Sequence, residues 1–259
     1  MVKFYDIHLH PKIDNAEEII KIAEKLGWHG ICLVEYFNNS NSFKKFSENI
    51  SNLKKDTNIE IFTGAKIKAN NRNEIAKLAR KAMNCADLIF GYGNFNVNRE
   101  FAECFEMDIL SHPERNIPND FMDQKNSGID HIIAKLLAEH KTAIEINFSD
   151  ILNVYGLLRA QVMGRITQNI KLARKYNCLS ILTSGADNMW GMRAPGEFVA
   201  VGKALGMTES DAKNSVSRNP EMLIQKSLDR KDPCVILDGV QVLEWGDQKP
   251  EGKKMFGWY

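Results

Sequence analysis

Apolar runs and amphipathic stretches alternate along this chain seven times, and this alternation limits the fold more than any other feature of the sequence. Gly30-Ile31-Cys32-Leu33-Val34 is apolar throughout, as a parallel strand buried on both faces must be. Comparable runs cover 2–7, 59–67, 86–90, 107–110, 142–148 and 179–183. Helix-period stretches lie between them. Asp14 or Asn15 can cap the first, which carries Ile19, Ile20, Ile22, Ala23 and Leu26 and stops at Gly27. Others follow a polar loop at 38–42, then cover 71–83, 97–105, a segment from Gly128, and 154–176. Pro195 opens the next, which Gly206 closes. A last one starts at Glu209, breaks at Asn219-Pro220 and resumes to about Ser227. Strands alternating with helices imply a parallel sheet with right-handed crossovers. About seven such units predict an α/β, TIM-like (β/α) barrel over residues 1–230, with an open doubly wound sheet as the alternative. Val235 to Leu243, with Asp238-Gly239 at its centre, predicts a β-hairpin. Residues 231–259 are thus expected to form a C-terminal hairpin and tail.

Bulk properties exclude several function classes. A net charge of +1 does not mark a strongly basic nucleic-acid binder. The mild basic excess sits at 150–230, where 11 Lys and Arg face 7 Asp and Glu. Five scattered cysteines without a C-x-x-C suggest reduced thiols in a cytoplasmic protein. Charged Lys3, Asp6 and Lys12 argue against a signal peptide, and no apolar run approaches the roughly 18 residues of a membrane span.

The chemistry-bearing stretch is Tyr5-Asp6-Ile7-His8-Leu9-His10. In a strand, Asp6, His8 and His10 share a face. Two imidazoles with a carboxylate behind them form half of a divalent-metal site, or else polar strand-end groups bonded to backbone. In a barrel the strand ends converge, which brings His8 and His10 near Glu35, Lys66, His112 and Asp187. Glu145 and Asn147 lie on the opposite face of their strand from Ile144 and Ile146. His8, His10, Glu35 and His112 are the expected ligands of a single divalent ion, zinc or manganese.

His8-Leu9-His10 and Ser111-His112-Pro113 resemble the PHP metallophosphoesterases, the family named after polymerase and histidinol phosphatase. That family holds up to three metals at its strand ends, and the resemblance implies water activation for phosphoester hydrolysis. This chain departs from the pattern. Lys66 stands where a glutamate is expected, and Gly185-Ala186-Asp187 replaces a late Asp-x-His. The resemblance therefore implies a vestigial site.

A second resemblance covers about Gly128 to Lys226. Its blocks are Ser127-Gly128-Ile129-Asp130-His131, Ala143-Ile144-Glu145-Ile146-Asn147-Phe148-Ser149, Arg159 to Arg174, Leu182-Thr183-Ser184-Gly185-Ala186, Met192-Arg193-Ala194-Pro195 and Asn219-Pro220-Glu221. In this order they resemble the 30-kDa-type protein subunit family of archaeal and eukaryotic ribonuclease P, whose members share a PHP-like barrel. The resemblance implies a subunit of the particle that removes the 5′ leader of precursor tRNA. Its partners would be the ribonuclease P RNA, a second, smaller protein subunit and the other particle proteins, with precursor tRNA met through the holoenzyme. The RNA and its Mg²⁺ would carry the cleavage; this chain alone would not be catalytic and would require no cofactor. Arg159, Arg165, Lys171, Arg174 and Arg193 are the expected RNA contacts, since guanidinium and ammonium groups suit phosphate oxygens. A stand-alone PHP-type phosphoesterase is the competing reading.

Overall fold

Seven parallel strands form one sheet in the order in which they occur in the chain, and the sheet curls until its first and last strands meet. The computed structural model describes residues 2–245 except 13–14, 55–56, 118, 121, 123–124 and 238. The strands are β1 (Tyr5–Leu9), β2 (Gly30–Tyr36), β3 (Glu60–Ile67), β4 (Leu88–Tyr92), β5 (Ile109–Ser111), β6 (Ala143–Asn147) and β7 (Ser180–Thr183). Between and after them come α1 (Ala16–Leu26), α2 (Ser40–Leu53), α3 (Arg72–Met83), α4 (Asn98–Ala102) and α5 (His131–Glu139). They are followed by α6 (Phe148–Leu152), α7 (Gly156–Tyr176), α8 (Pro195–Ala204), α9 (Glu209–Ser215) and α10 (Arg218–Lys231). The chain thus forms a TIM-like barrel, followed by an antiparallel pair, β8 (Val235–Leu237) and β9 (Val240–Gln241).

Alternation along each strand decides what fills the barrel. Cys32 and Val34 of β2, Leu88 and Phe90 of β4, Ile109, Ala143 and Ile181 pack together inside. Their neighbours Ile31, Leu33, Ala65, Ile89, Leu110, Ile144, Ile146 and Leu182 face the helices. Gly64 makes room inside: a Cβ there would lie 2.7 Å from the Phe90 ring and 2.8 Å from Val34. Each fully buried Ile or Phe of this kind contributes about 1.5–3 kcal/mol.

The seam between β7 and β1 is closed by few bonds. Leu9 bridges Ala186, Gly185 N donates to His8 O at 2.9 Å, and His10 N donates to Ala186 O at 2.8 Å. Ser184 N donates to the buried Asp6 carboxylate at 3.1 Å. Helix α10 closes the opposite end of the barrel, with Leu223 and Ile224 against the interior cluster. Arg230 holds the buried Asp108 through two bonds of 2.9 Å, with Lys226 at 3.4 Å behind it.

The structure corrects several boundaries. β1 starts at Tyr5 and runs past Ile7 to Leu9, with a register shift between Asp6 and Leu9. Helix α6 was not expected; it starts directly at the end of β6, where the Asn147 side chain caps Ser149 N at 3.0 Å. The break before α10 falls at Val216-Ser217, and Pro220 lies within the first helical turn, where a missing N–H costs no bond. Asn15 precedes α1 without a side-chain cap, and Gly27 ends it in left-handed geometry. Asp14 and the tail from residue 246 onward lie outside the described residues, as does Asp238 of the hairpin turn.

Candidate functional site at the barrel mouth

Lys66 is the centre of the barrel mouth. It continues the inward row of β3 and is 1% exposed. Its ammonium lies 2.8 Å from His112 Nε2, 3.1 Å from His10 Nε2 and 3.2 Å from His8 Nε2. An ammonium has three protons to donate, and here it meets three ring nitrogens. The Tyr92 and Tyr36 rings flank it, with centroids at 5.0 and 5.7 Å.

Each imidazole is held from behind at Nδ1. His8 Nδ1 donates to the Glu145 carboxylate, His10 Nδ1 to Val34 O at 2.9 Å, and His112 Nδ1 to Asp150 at 2.5 Å. These acceptors assign the ring proton to Nδ1 and leave Nε2 as a lone pair aimed at Lys66. Glu145 also accepts from Thr183 Oγ1 at 2.6 Å. Asp150 is held by Arg115, whose Nη1 donates to Tyr92 Oη at 2.7 Å. His112 adopts φ 52, a backbone conformation rare outside glycine.

Burial sets the protonation states. It lowers His8 to about 4, reinforced by Lys66 and opposed by Glu145. It likewise holds His10 and His112 below the ordinary imidazole range, so the three rings are neutral. Lys66 is lowered by burial to about 8 and remains an ammonium at neutral pH. Burial alone would raise Glu145, but the hydrogen bond from His8 Nδ1 and the charge of Lys66 hold its carboxyl well below the usual range and keep it ionised. Two cations, Lys66 and Arg115, therefore face two anions, Glu145 and Asp150. Glu114 is buried with no hydrogen-bond partner among the described residues, and burial raises its carboxyl well above the usual range.

Three of the four expected metal ligands come together: His8, His10 and His112. The fourth, Glu35, does not. Cys32 and Val34 face inward, so parity turns Glu35 outward, where its carboxylate accepts from Tyr36 N. Among the described residues, His8, His112 and Glu145 form the one acid-and-imidazole group compact enough for an ion. The residues present nonetheless do not fit a divalent ion beside Lys66. Such an ion about 3 Å from an ammonium would be repelled by on the order of 10 kcal/mol at an effective dielectric of about 20. Gly185 cannot be a lost ligand position that merely needs refilling. It has φ +57, and a Cβ there would lie 2.2 Å from Asn147. Asp187 is exposed, and its carboxylate accepts from Asn188 Nδ2 at 2.7 Å.

The expected RNA contacts are scattered around α7 and α8. Arg165 is buried and paired with Asp120 at 2.9 Å, so it faces the protein and not a ligand. Arg159 donates to Val154 O at 2.7 Å, and Arg193 donates to Trp190 O and Met192 O. Lys171 is exposed, and Arg174 is exposed beside Asp211.

Comparison with known proteins decides the family. The family model for RNase P subunit p30 matches residues 3–232. The chain belongs to the RNase P subunit p30 family. Ribonuclease P protein component 3 of Methanococcus maripaludis is 30% identical over 233 residues, covering 88% of this chain and 94% of that protein. The Methanosarcina barkeri protein of the same name is 30% identical over 249 residues, covering 95% and 98%. A chain of a cryo-EM structure of archaeal ribonuclease P with mature tRNA superposes on this p30-family member with a TM-score of 0.79. Identity is 25%, covering 94% of this chain and all of that one.

Glu145, Asp150, Arg115 and Tyr92 are the mouth residues not among the expected site residues. Glu145 has a readable signal, a carboxylate at inward parity in an otherwise apolar strand. Asp150 has none, because α6 carries it and that short helix has no periodicity of its own.

Proposed function

We propose that this chain is the p30-type protein subunit of a ribonuclease P particle, which removes the 5′ leader from precursor tRNA. The observation that carries this reading is the match to the family along the whole barrel, residues 3–232. In this reading the RNA and its Mg²⁺ carry the cleavage, a smaller protein subunit pairs with this chain, and the particle works in the cytoplasm. The chain itself is not catalytic. Support comes from the mouth, where the three imidazoles that could activate a metal-bound water are engaged by Lys66. The same engagement disfavours a stand-alone phosphoesterase. Among the described residues, no helix is long and apolar enough to cross a membrane.

Lys171 and Arg174 are the proposed phosphate contacts, sharing a face of α7 at i, i+3. The exposed Arg174–Asp211 pair is worth little in water and can yield to a phosphate. Arg159 and Arg193 can contribute after exchanging backbone acceptors for phosphate oxygens.

The test is reconstitution of precursor-tRNA cleavage from the RNase P RNA and its proteins with and without this chain. Cleavage at limiting Mg²⁺ should fall when the chain is left out. In the assembled particle, Lys171→Glu with Arg174→Glu should weaken RNA binding and reduce the salt slope by about 1 for each lost phosphate contact. Unchanged cleavage without the chain would overturn the proposal.

A further inference from the structure

We propose that the Lys66 ammonium stands in for a divalent cation, and that the three imidazoles around it are a latent zinc-type site which opens when that ammonium is removed. The inference concerns the isolated chain and does not rest on the ribonuclease P reading.

Three observations carry it. First, three Nε2 atoms from two strand ends, His8 and His10 of β1 and His112 after β5, converge on one buried nitrogen of β3 within 3.2 Å. Second, each ring is fixed by an acceptor at Nδ1, which is how proteins orient histidines toward metals. Third, His8 Nε2 and His10 Nε2 lie 2.9 Å apart. Both are acceptors, and two lone pairs at that distance are stable only with a cation against both. The protein supplies that cation from β3, so the cluster is complete without an ion from solvent. Removing the lysine side chain beyond Cβ leaves imidazoles suited to zinc or cobalt, with the Glu145 carboxylate close to His8 and His112.

The experiment uses the full chain, as wild type and as Lys66→Ala, titrated with Co²⁺ and followed by its visible absorption, with Zn²⁺ competition. Lys66→Ala should bind one ion per chain with the intense bands of tetrahedral cobalt, roughly a hundredfold tighter than the wild type. Adding His112→Ala to that variant should abolish the bands. A wild type that binds one ion tightly in a His8-dependent way overturns the proposal, as does a folded Lys66→Ala that binds none. Nitrogen-15 spectra of the wild-type histidines supply a readout that needs no variant. At pH 7 His8, His10 and His112 should each carry their proton at Nδ1 with Nε2 bare, and a protonated Nε2 on any of them overturns the proposal.

Discussion

His8 is neutral in the fold because its burial disfavours an imidazolium, and the Lys66 ammonium beside it adds to that. Its folded pKa of about 4 lies below the ordinary 6.5, so between those values the unfolded chain binds the extra proton. Stability from this group is therefore full above pH 6.5 and is lost as pH falls toward 4, at up to about 1.4 kcal/mol per pH unit. Asp6, raised by burial to about 6, acts in the opposite sense, so the effect is best isolated as a difference. His8→Gln keeps an amide oxygen that can accept from Lys66. Relative to that variant, the wild type should lose denaturant midpoint from pH 6.5 down to 4. A difference independent of pH would contradict a neutral His8. Gly185 offers a second test at this scale. Gly185→Ala must accommodate a Cβ 2.2 Å from Asn147 at φ +57, and we expect a loss of about 2 kcal/mol or more in urea unfolding. A variant within 0.5 kcal/mol of wild type, about the scatter of an ordinary surface substitution, would show that Asn147 can move aside. The histidines of this cluster are legible in the sequence. The role of Lys66 is not, because a charge in an apolar strand reads as a lost ligand until its three acceptors are seen.

Parity within single strands explains both what the sequence conveys about the site and what it conceals. Strand number and order are legible because each run is mostly apolar and is separated from the next by a helix-period stretch. Glu35 is misplaced when strand ends are taken to converge without regard to alternation, although Cys32 and Val34 already assign it outward. In β1 the error is subtler. Strict alternation puts Asp6, His8 and His10 on one face, but the register shift between Asp6 and Leu9 sends Leu9 to the helices and draws Asp6 to the β7 seam, where it accepts from Ser184 N and His8 N. Irregularities of this kind carry no composition signal. Helix α10 is the element whose contribution can be measured directly. Arg230→Ala leaves Asp108, 0% exposed, with Lys226 as its one charged partner among the described residues beside the Ile89 N–H, and should destabilise the fold by about 3 kcal/mol. Arg174→Ala, which removes an exposed pair, should cost under about 1 kcal/mol. Equal losses in chemical denaturation would mean that α10 does not seal the barrel through that charge pair.

At the scale of the molecule, a seven-stranded barrel with a thin seam needs its closing helix. The interior cluster ends on Leu223 and Ile224, and Tyr5 N at the start of β1 donates to Val216 O just before α10. The folding unit should therefore end after α10 and not before it. The family match stops at the same place, residue 232, whereas β8 and β9 pair with each other beyond it. Two shortened chains separate these alternatives. A chain of residues 1–232 should unfold in one cooperative transition with a midpoint within about 5 °C of the full chain, since a shift of that size corresponds to about 1–2 kcal/mol. A chain of residues 1–217 exposes the floor of the barrel, leaves Asp108 without Arg230 and Lys226, and should show no cooperative transition. Cooperative folding of the shorter chain, or collapse of the longer one, would place the boundary of the domain elsewhere and make the hairpin part of the barrel's own stability.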